Sequence, residues 1–409
     1  MNPNSDQSSQ DRLLAEIFQL LATDETKGLP VLLEERRQKL NLTQRQLSSL
    51  LNMERLSLQR LLKGEMQKID IVTMLKIKQF LGMNMEELVK IYVSNLDAQT
   101  VGQIERVTKA NYIINNFDID ALKRASIIDT CDDFDAIEQQ LVAFFGFDSI
   151  YDYTRGMNGV LFSRTRRDSN DKNREMWVKA AFLQFEKIAN PNRFSMHALE
   201  EMVSKIRPYS THETNGLLTV ARALYNIGIT VIVQSSLPTL QTRGATFIVD
   251  NKPCIVLACQ MDGKTKTKYS TMWFALLHEI HHILFDYTKV KEMVYHISDD
   301  QDLFLMEEQA NKFARDYLFS AEKMEKVRPF IQIESVVRDY AKKHGVHPSI
   351  IYDFYSYDEA IKGNKLGYQR FNQFIPTADV AITRLKSHPW GKKTLTSDVD
   401  TIKAALSNQ

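Results

Sequence analysis

The sequence predicts a mainly α-helical protein with a small β-sheet, an α+β arrangement in which most helices precede the strands. From about residue 30 to residue 207, apolar residues recur at the three- and four-residue spacing of amphipathic helices. After Pro208 three short runs rich in β-branched residues, "ITVIVQ", "ATFIVD" and "PCIVLA", have the length and composition of strands. Helical patterns then return and continue to the C-terminus, which separates one small sheet from two blocks of helices.

A chain of 409 residues is too long for one ordinary hydrophobic core, so several domains are expected. The polar start "MNPNSDQSSQD" predicts an extension over 1–29 that is disordered or partly helical. We expect a five-helix domain over 30–96 and a helical middle region over 97–207. A domain of strands and helices with a helical tail follows over 208–409.

Composition and charge are those of a globular protein in a reducing compartment. The chain is 44% hydrophobic and 25% charged, with a formal net charge of +1, so any affinity for nucleic acid must come from a local patch. Three cysteines argue against a disulfide framework. The sequence has neither a signal peptide nor an apolar run of ~18 residues, so we expect a cytoplasmic protein with no membrane partner.

The most hydrophobic segment, "WFALLHEIHHILFDY", carries ionisable residues at its centre. His278 and His282 are four residues apart, so on a helix their imidazoles share one face and can bind one metal ion. Glu279 follows the first histidine in the H-E-x-x-H pattern of zinc peptidases, where the glutamate serves as general base. Zinc lowers the pKa of a bound water and polarises a substrate carbonyl. The alternative is a chance match, but the apolar flanks would bury these groups, and buried polar groups need partners.

A third ligand is expected downstream, in "MEEQANKFARDYLF", where Glu307 and Asn311 are four residues apart on an amphipathic helix. Glu307 is our choice, and Glu308 is the rival. His281 lies one residue before a ligand and therefore points about 100° away, beside the site or at the surface. For the group that stabilises the transition state, the sequence leaves three candidates open: Tyr295, His296 and Tyr317.

Three segments together resemble the ImmA/IrrE family of zinc metallopeptidase-like proteins: "GLLTVARALYNIGITVIV", "FALLHEIHHILF" and "EEQANKFARDYLF". The resemblance covers roughly the C-terminal half. It implies a zincin-like metallopeptidase domain, Zn²⁺ as cofactor, Glu307 as the third zinc ligand, and roles in repressor cleavage and in stress or mobile-element regulation. Two departures are "HEIHH" for the usual "HELGH" and "YLFS" for a "LLMP"-like ending, and neither removes a ligand.

The stretch "LTQRQLSSLLNMERLSLQRLLKGE" resembles the helix-turn-helix of phage-repressor-type (Xre) domains. Thr43 and Gln46 have the spacing of a capping box at the first helix, and Gly64 is placed to end the second. Five leucines are expected to share the core of this motif, namely Leu47, Leu50, Leu51, Leu58 and Leu61.

In such a motif the N-terminal half of the second helix meets base edges in the major groove. The predicted DNA contacts are Gln44, Arg55, Ser57 and Arg60, with the arginines on guanine edges or phosphates. Leu56, Leu62 and the negative charge of Glu54 are unusual there and favour the alternative that this domain docks or dimerises with protein. A homodimer is therefore one of the partner hypotheses.

Three functional hypotheses follow from these motifs. The first is a DNA-binding regulator fused to a zinc-dependent endopeptidase that cleaves a repressor or antitoxin protein. The second is a HigA-like antitoxin or transcriptional regulator whose metallopeptidase fold senses or binds without cutting. The third is a zinc peptidase whose N-terminal domain docks its protein substrate. In the enzyme hypotheses "ATFIVD" is the candidate edge strand for an extended substrate, with an ordinary core strand as the alternative.

Overall fold

The computed structural model confirms a mainly helical protein with one small sheet. The chain divides into two compact units, Met1–Asn111 and Tyr112–Gln409. Residues 1–26 lie outside the described part, and with them most of the extension that was predicted to be disordered or partly helical. The structure describes residues 27–66, 68–94, 96–154, 169–237, 240, 242–260, 266–292, 296–297, 304–364, 370–386, 390–391 and 393–407.

Five helices form the N-terminal unit's own core, which is a cluster of leucines with Met74, Ile77 and Phe80. The predicted capping box is present, since Thr43 accepts from the backbone of Gln46 and the Gln46 side chain accepts from the Thr43 backbone. The helices are α1 (Leu29–Lys39), α2 (Gln44–Leu51), α3 (Arg55–Leu62), α4 (Ile71–Leu81) and α5 (Met85–Ser94).

One of the five predicted core leucines is misplaced. Leu47, Leu51, Leu58 and Leu61 are buried, but Leu50 is 55% exposed. Leu50 is the next-to-last residue of α2. It lies to one side of the helix face that Leu47 and Leu51 bury, and its side chain therefore faces solvent. The expected C-terminal glycine, Gly64, adopts a left-handed conformation with φ of 73° just after α3, as predicted.

The second unit has a single core that runs from Ile113 to Leu406. The predicted boundary at residue 207 lies inside this core, so the helices of the predicted middle region pack with the strands that follow them. Helix α6 (Ala98–Asn116) crosses the boundary between the two units. The helices that follow it are α7 (Ile119–Arg124), α8 (Phe134–Phe145), α9 (Ser169–Ile188), α10 (Met196–Ile206) and α11 (Gly216–Asn226).

The sheet has the strand order β1-β3-β2-β4. Strand β1 (Thr230–Ser235) is parallel to β3 (Lys252–Cys259), and β3 is antiparallel to β2 (Gly244–Val249). The short β4 (His296–Ile297) pairs with Ala245 and Thr246 of β2. The prediction that "ATFIVD" forms the sheet edge is therefore wrong, because β4 lies outside it.

A long helix, α12 (Tyr269–Phe285), packs on β2 and β3 and carries the H-E-x-x-H residues. The tail helices α16 (Glu334–His344) and α17 (Pro348–Ile361) bury Val337, Ala341 and Ile350 in the same core, as expected for a packed tail. The helices after α12 are α13 (Tyr287–Glu292), α14 (Phe304–Phe319), α15 (Ala321–Val327), α16 (Glu334–His344), α17 (Pro348–Ile361), α18 (Asp379–Leu385) and α19 (Val399–Ser407). Among the residues that the structure describes, no helix is long and apolar enough to cross a membrane.

The turn after α11 gives a test of the fold. Gly228 has φ of 90°, and a Cβ atom there would lie 2.4 Å from the backbone nitrogen of Phe194. We expect Gly228→Ala to lower the free energy of unfolding by about 2 kcal/mol or more, since strain and a backbone clash add. Gly363 is the matched control, because its φ is 80° but nothing lies within 4 Å of its Cβ position. Urea denaturation of both variants would contradict this account if their midpoints fell equally.

Candidate functional site

Three buried side chains from two helices converge on one point. The Nε2 atoms of His278 and His282 on α12 lie 3.2 Å apart. Glu307 on α14 brings one carboxylate oxygen to 3.2 Å from His278 Nε2 and the other to 3.3 Å from His282 Nε2. The two helices approach closely because Ala310 and Ala314 present small, fully buried side chains on α14.

The second nitrogen of each imidazole has an oxygen partner. His278 Nδ1 lies 3.1 Å from Oδ1 of Asn311, and His282 Nδ1 lies 3.1 Å from Oδ2 of Asp286. If each Nδ1–H donates to its oxygen, each Nε2 presents its lone pair to the shared point. Asn311 and Asp286 therefore fix the orientation and tautomer that metal binding requires.

The residues fit a zinc ion. Zinc is bound at about 2.0–2.1 Å by histidine nitrogen and carboxylate oxygen, and a tetrahedron of that size separates its ligand atoms by about 3.3 Å. The two histidine Nε2 atoms are 3.2 Å apart, and each lies 3.2 or 3.3 Å from a different oxygen of Glu307, which is close to this value. Two imidazoles and one carboxylate are also the donor set of known catalytic zinc sites.

Glu279 lies next to this cluster without belonging to it. Its side chain is completely buried, and Oε2 accepts a hydrogen bond of 2.7 Å from the Thr246 hydroxyl on β2. Gly244 leaves room for the carboxylate, since a Cβ at residue 244 would lie 2.5 Å from Glu279 Oε1. Strand β2 therefore sets the position of this carboxylate.

Burial and charge act in opposite directions on His278. Desolvation disfavours the imidazolium, but the hydrogen bond to Glu307 and the charges of Glu279 and Glu307 outweigh it, so the pKa of His278 is raised. In the metal-free protein a proton therefore occupies the site more readily than at an isolated histidine, and a metal ion must displace it.

His281 lies beside the cluster and is buried. Its ring packs against Phe285 and Phe313, at centroid distances of 4.8 and 5.4 Å. Burial and the neighbouring His282 lower the pKa of His281 to about 4, so it is neutral at pH 7. His281, His282 and Asp286 form a second group whose donor atoms lie within 4.8 Å of one another. His282 Nδ1 is within hydrogen-bond distance of the Asp286 carboxylate, so we interpret that carboxylate as the acceptor that orients His282.

Two of the other sequence candidates, Glu308 and Tyr317, are not brought to the cluster. Glu308, the rival third ligand, is exposed. The Tyr317 hydroxyl donates to the carbonyl of Val203 and accepts from the backbone of Arg207, which ties α14 to α10. Tyr295 and the side chain of His296 lie outside the described residues.

In the N-terminal unit, α3 presents a mixed face to solvent. Arg55 and Arg60 are exposed, as is Gln44 at the start of α2, whereas Ser57 is half-buried. The most exposed large apolar side chain of the helix is Leu56, at 71%.

Residues 29–93, which cover α1 to α5, match the family model of the Cro/C1-type helix-turn-helix DNA-binding domain. The N-terminal unit carries a DNA-binding helix-turn-helix domain. No curated protein and no solved structure matches the chain.

Three residues around the three-donor cluster were missed from the sequence: Asp286, Gly244 and Thr246. Asp286 is four residues after His282, so helical spacing alone could have placed it there, as the same spacing placed Asn311 beside Glu307. Gly244 and Thr246 have no such signal, because their proximity to Glu279 depends on how β2 packs against α12.

The geometry predicts which glutamate matters for metal. We expect purified protein to hold about one zinc ion per chain, and Glu307→Ala to lose most of it, because the cluster would keep only two ligands. Glu308→Ala is the matched control, with the same change one residue along at an exposed position. Metal analysis after dialysis against a weak chelator would measure both, and equal zinc in the two variants would contradict the assignment.

Proposed function

We propose that this protein is a DNA-binding regulator whose second unit is a zinc-dependent endopeptidase acting on a repressor or antitoxin protein. The observation that carries the enzymatic part is the placement of Glu279. It is a buried carboxylate held by Thr246, adjacent in sequence to one metal ligand, and outside the three-donor cluster. A site that only binds metal does not require this group.

In this proposal His278, His282 and Glu307 hold the zinc ion, and Asn311 and Asp286 orient the two imidazoles. Zinc supplies Lewis-acid activation of water and of the scissile carbonyl when it is bound. Glu279 accepts the proton of the attacking water at its carboxylate and delivers it to the leaving amine nitrogen. The Thr246 hydrogen bond keeps that carboxylate in one rotamer, which removes an orientational cost from the proton transfer.

Burial supports catalysis because it excludes bulk water from around these groups. His282 and Glu279 are completely buried, and His278 is 3% exposed. In such surroundings fixed dipoles and charges act more strongly on a reacting group than they do in water. The fully buried Leu277, Ile280 and Ile283 make this dry frame on α12.

The substrate class rests on the resemblance to the ImmA/IrrE family and on the attached DNA-binding domain. Members of that family are linked to the cleavage of repressor proteins. A helix-turn-helix unit on the same chain would bring the peptidase to an operator at which such a protein is bound.

The role of Glu279 separates cutting from sensing. Glu279→Gln keeps the shape of the side chain but removes the base, so zinc content should be unchanged while cleavage falls by at least ~100-fold. The measurement compares newly formed protein N-termini in cells that express the wild type, Glu279→Gln or the control Glu308→Gln. An unchanged set of cleavage products in Glu279→Gln would favour a HigA-like regulator that binds without cutting.

The DNA-binding part has its own test. Arg55→Ala and Arg60→Ala should each weaken binding to a selected duplex by about 1–3 kcal/mol if the arginines read bases. Arg384→Ala, an exposed arginine in the second unit, controls for the loss of one positive charge. Fluorescence anisotropy on selected and random duplexes would favour a protein-docking domain if the wild type bound both equally.

A further inference from the structure

The exposed leucine of α3 is not explained by the fold of the N-terminal unit. Leu56 is 71% exposed, whereas Leu58 and Leu61 of the same helix are at most 3% exposed. It lies in the first turn of α3, two residues after Glu54, which is the N-cap residue. Leu56 therefore contributes little to the core and leaves most of its apolar surface available to a ligand.

The neighbours of Leu56 place it on the face expected to meet DNA. Arg60 lies four residues further along the helix and so on the same side, and Arg55 directly precedes it. Both arginines are exposed. In a helix-turn-helix domain the N-terminal residues of the second helix contact base edges in the major groove. An apolar side chain thus stands between two cations at the point where bases are read.

A leucine side chain offers no hydrogen bond to a base edge or a phosphate. The major groove presents one apolar group, the C5-methyl of thymine, and apolar side chains recognise thymine through it. The arginines on either side supply the hydrogen bonds and charge that hold the helix in the groove.

We propose that Leu56 reads thymine, by packing against the C5-methyl group of one thymine in the DNA site that the domain binds. This inference rests on the DNA-reading part of the proposed function and is independent of the peptidase. It turns a residue that argued against DNA binding into a determinant of sequence preference. The competing occupant is a protein surface, for which the DNA methyl group would be irrelevant.

The experiment removes the methyl group and the leucine separately. Duplexes are first selected from a random pool with the full chain, and each thymine of the selected site is then replaced by deoxyuridine, which lacks only the methyl. For the wild type we expect about a fourfold loss of affinity at the contacted thymine, the equivalent of ~0.8 kcal/mol for one buried carbon. In Leu56→Ala the unmodified duplex should bind more weakly, and the deoxyuridine penalty at that position should vanish.

Two further variants keep the interpretation specific. Leu56→Met retains an apolar side chain of similar volume and should keep the deoxyuridine penalty. Leu75→Ala changes a 49% exposed leucine on α4, outside the two helices of the motif, and should change neither affinity nor penalty.

Each outcome decides the proposal. If wild type and Leu56→Ala show the same deoxyuridine penalties, or the wild type shows none, Leu56 does not read thymine. When that happens while Arg60→Ala still weakens selected binding, the Leu56 inference fails alone and the DNA-reading function stands. If selection yields no preferred sequence, base reading by the domain fails and Leu56 with it.

Discussion

Polar chemistry inside the apolar core is the constraint on which the second unit depends. Histidine and glutamate side chains lose hydration when they are buried, and that loss is tolerated only if each finds a partner. On α12 the partners come from three directions: Glu307 and Asn311 on α14, Asp286 at the end of α12, and Thr246 on β2. The packing of α12 against α14 and against β2 therefore gives partners to His278 and Glu279 and builds the site at the same time.

These contacts give the two sides of α12 different roles. The α14 side completes the three-donor cluster, where the negative charge of Glu307 faces both imidazoles. The β2 side holds Glu279, and it can do so because Gly244 has no side chain. Gly244 is the first residue of β2, and because it has no side chain of its own it provides the space for a carboxylate.

The N-terminal unit follows a different physical logic. Its small leucine-rich core fixes the angle between α2 and α3. The side chains that are exposed on these helices are then the ones available for binding. Arg55, Leu56 and Arg60 are exposed because the buried stripe of α3 runs through Leu58 and Leu61. The charged and apolar groups of this surface determine which ligand it recognises.

Sequence periodicity and motif spacing determined the parts of this protein that are local. Residues within a few positions of each other determine four such features: the helix caps, the helix-turn-helix, the strands after residue 229, and the pairing of His278 with His282. Glu307 was chosen partly by resemblance, and α14 brings it to the histidines.

Tertiary structure alone decided that Leu50 faces solvent, that one core crosses residue 207, and that β4 lies outside β2. It also alone placed Thr246 and Gly244 on Glu279, because a contact between a strand and a helix about 33 residues apart depends on how two elements pack, and no local pattern encodes that geometry.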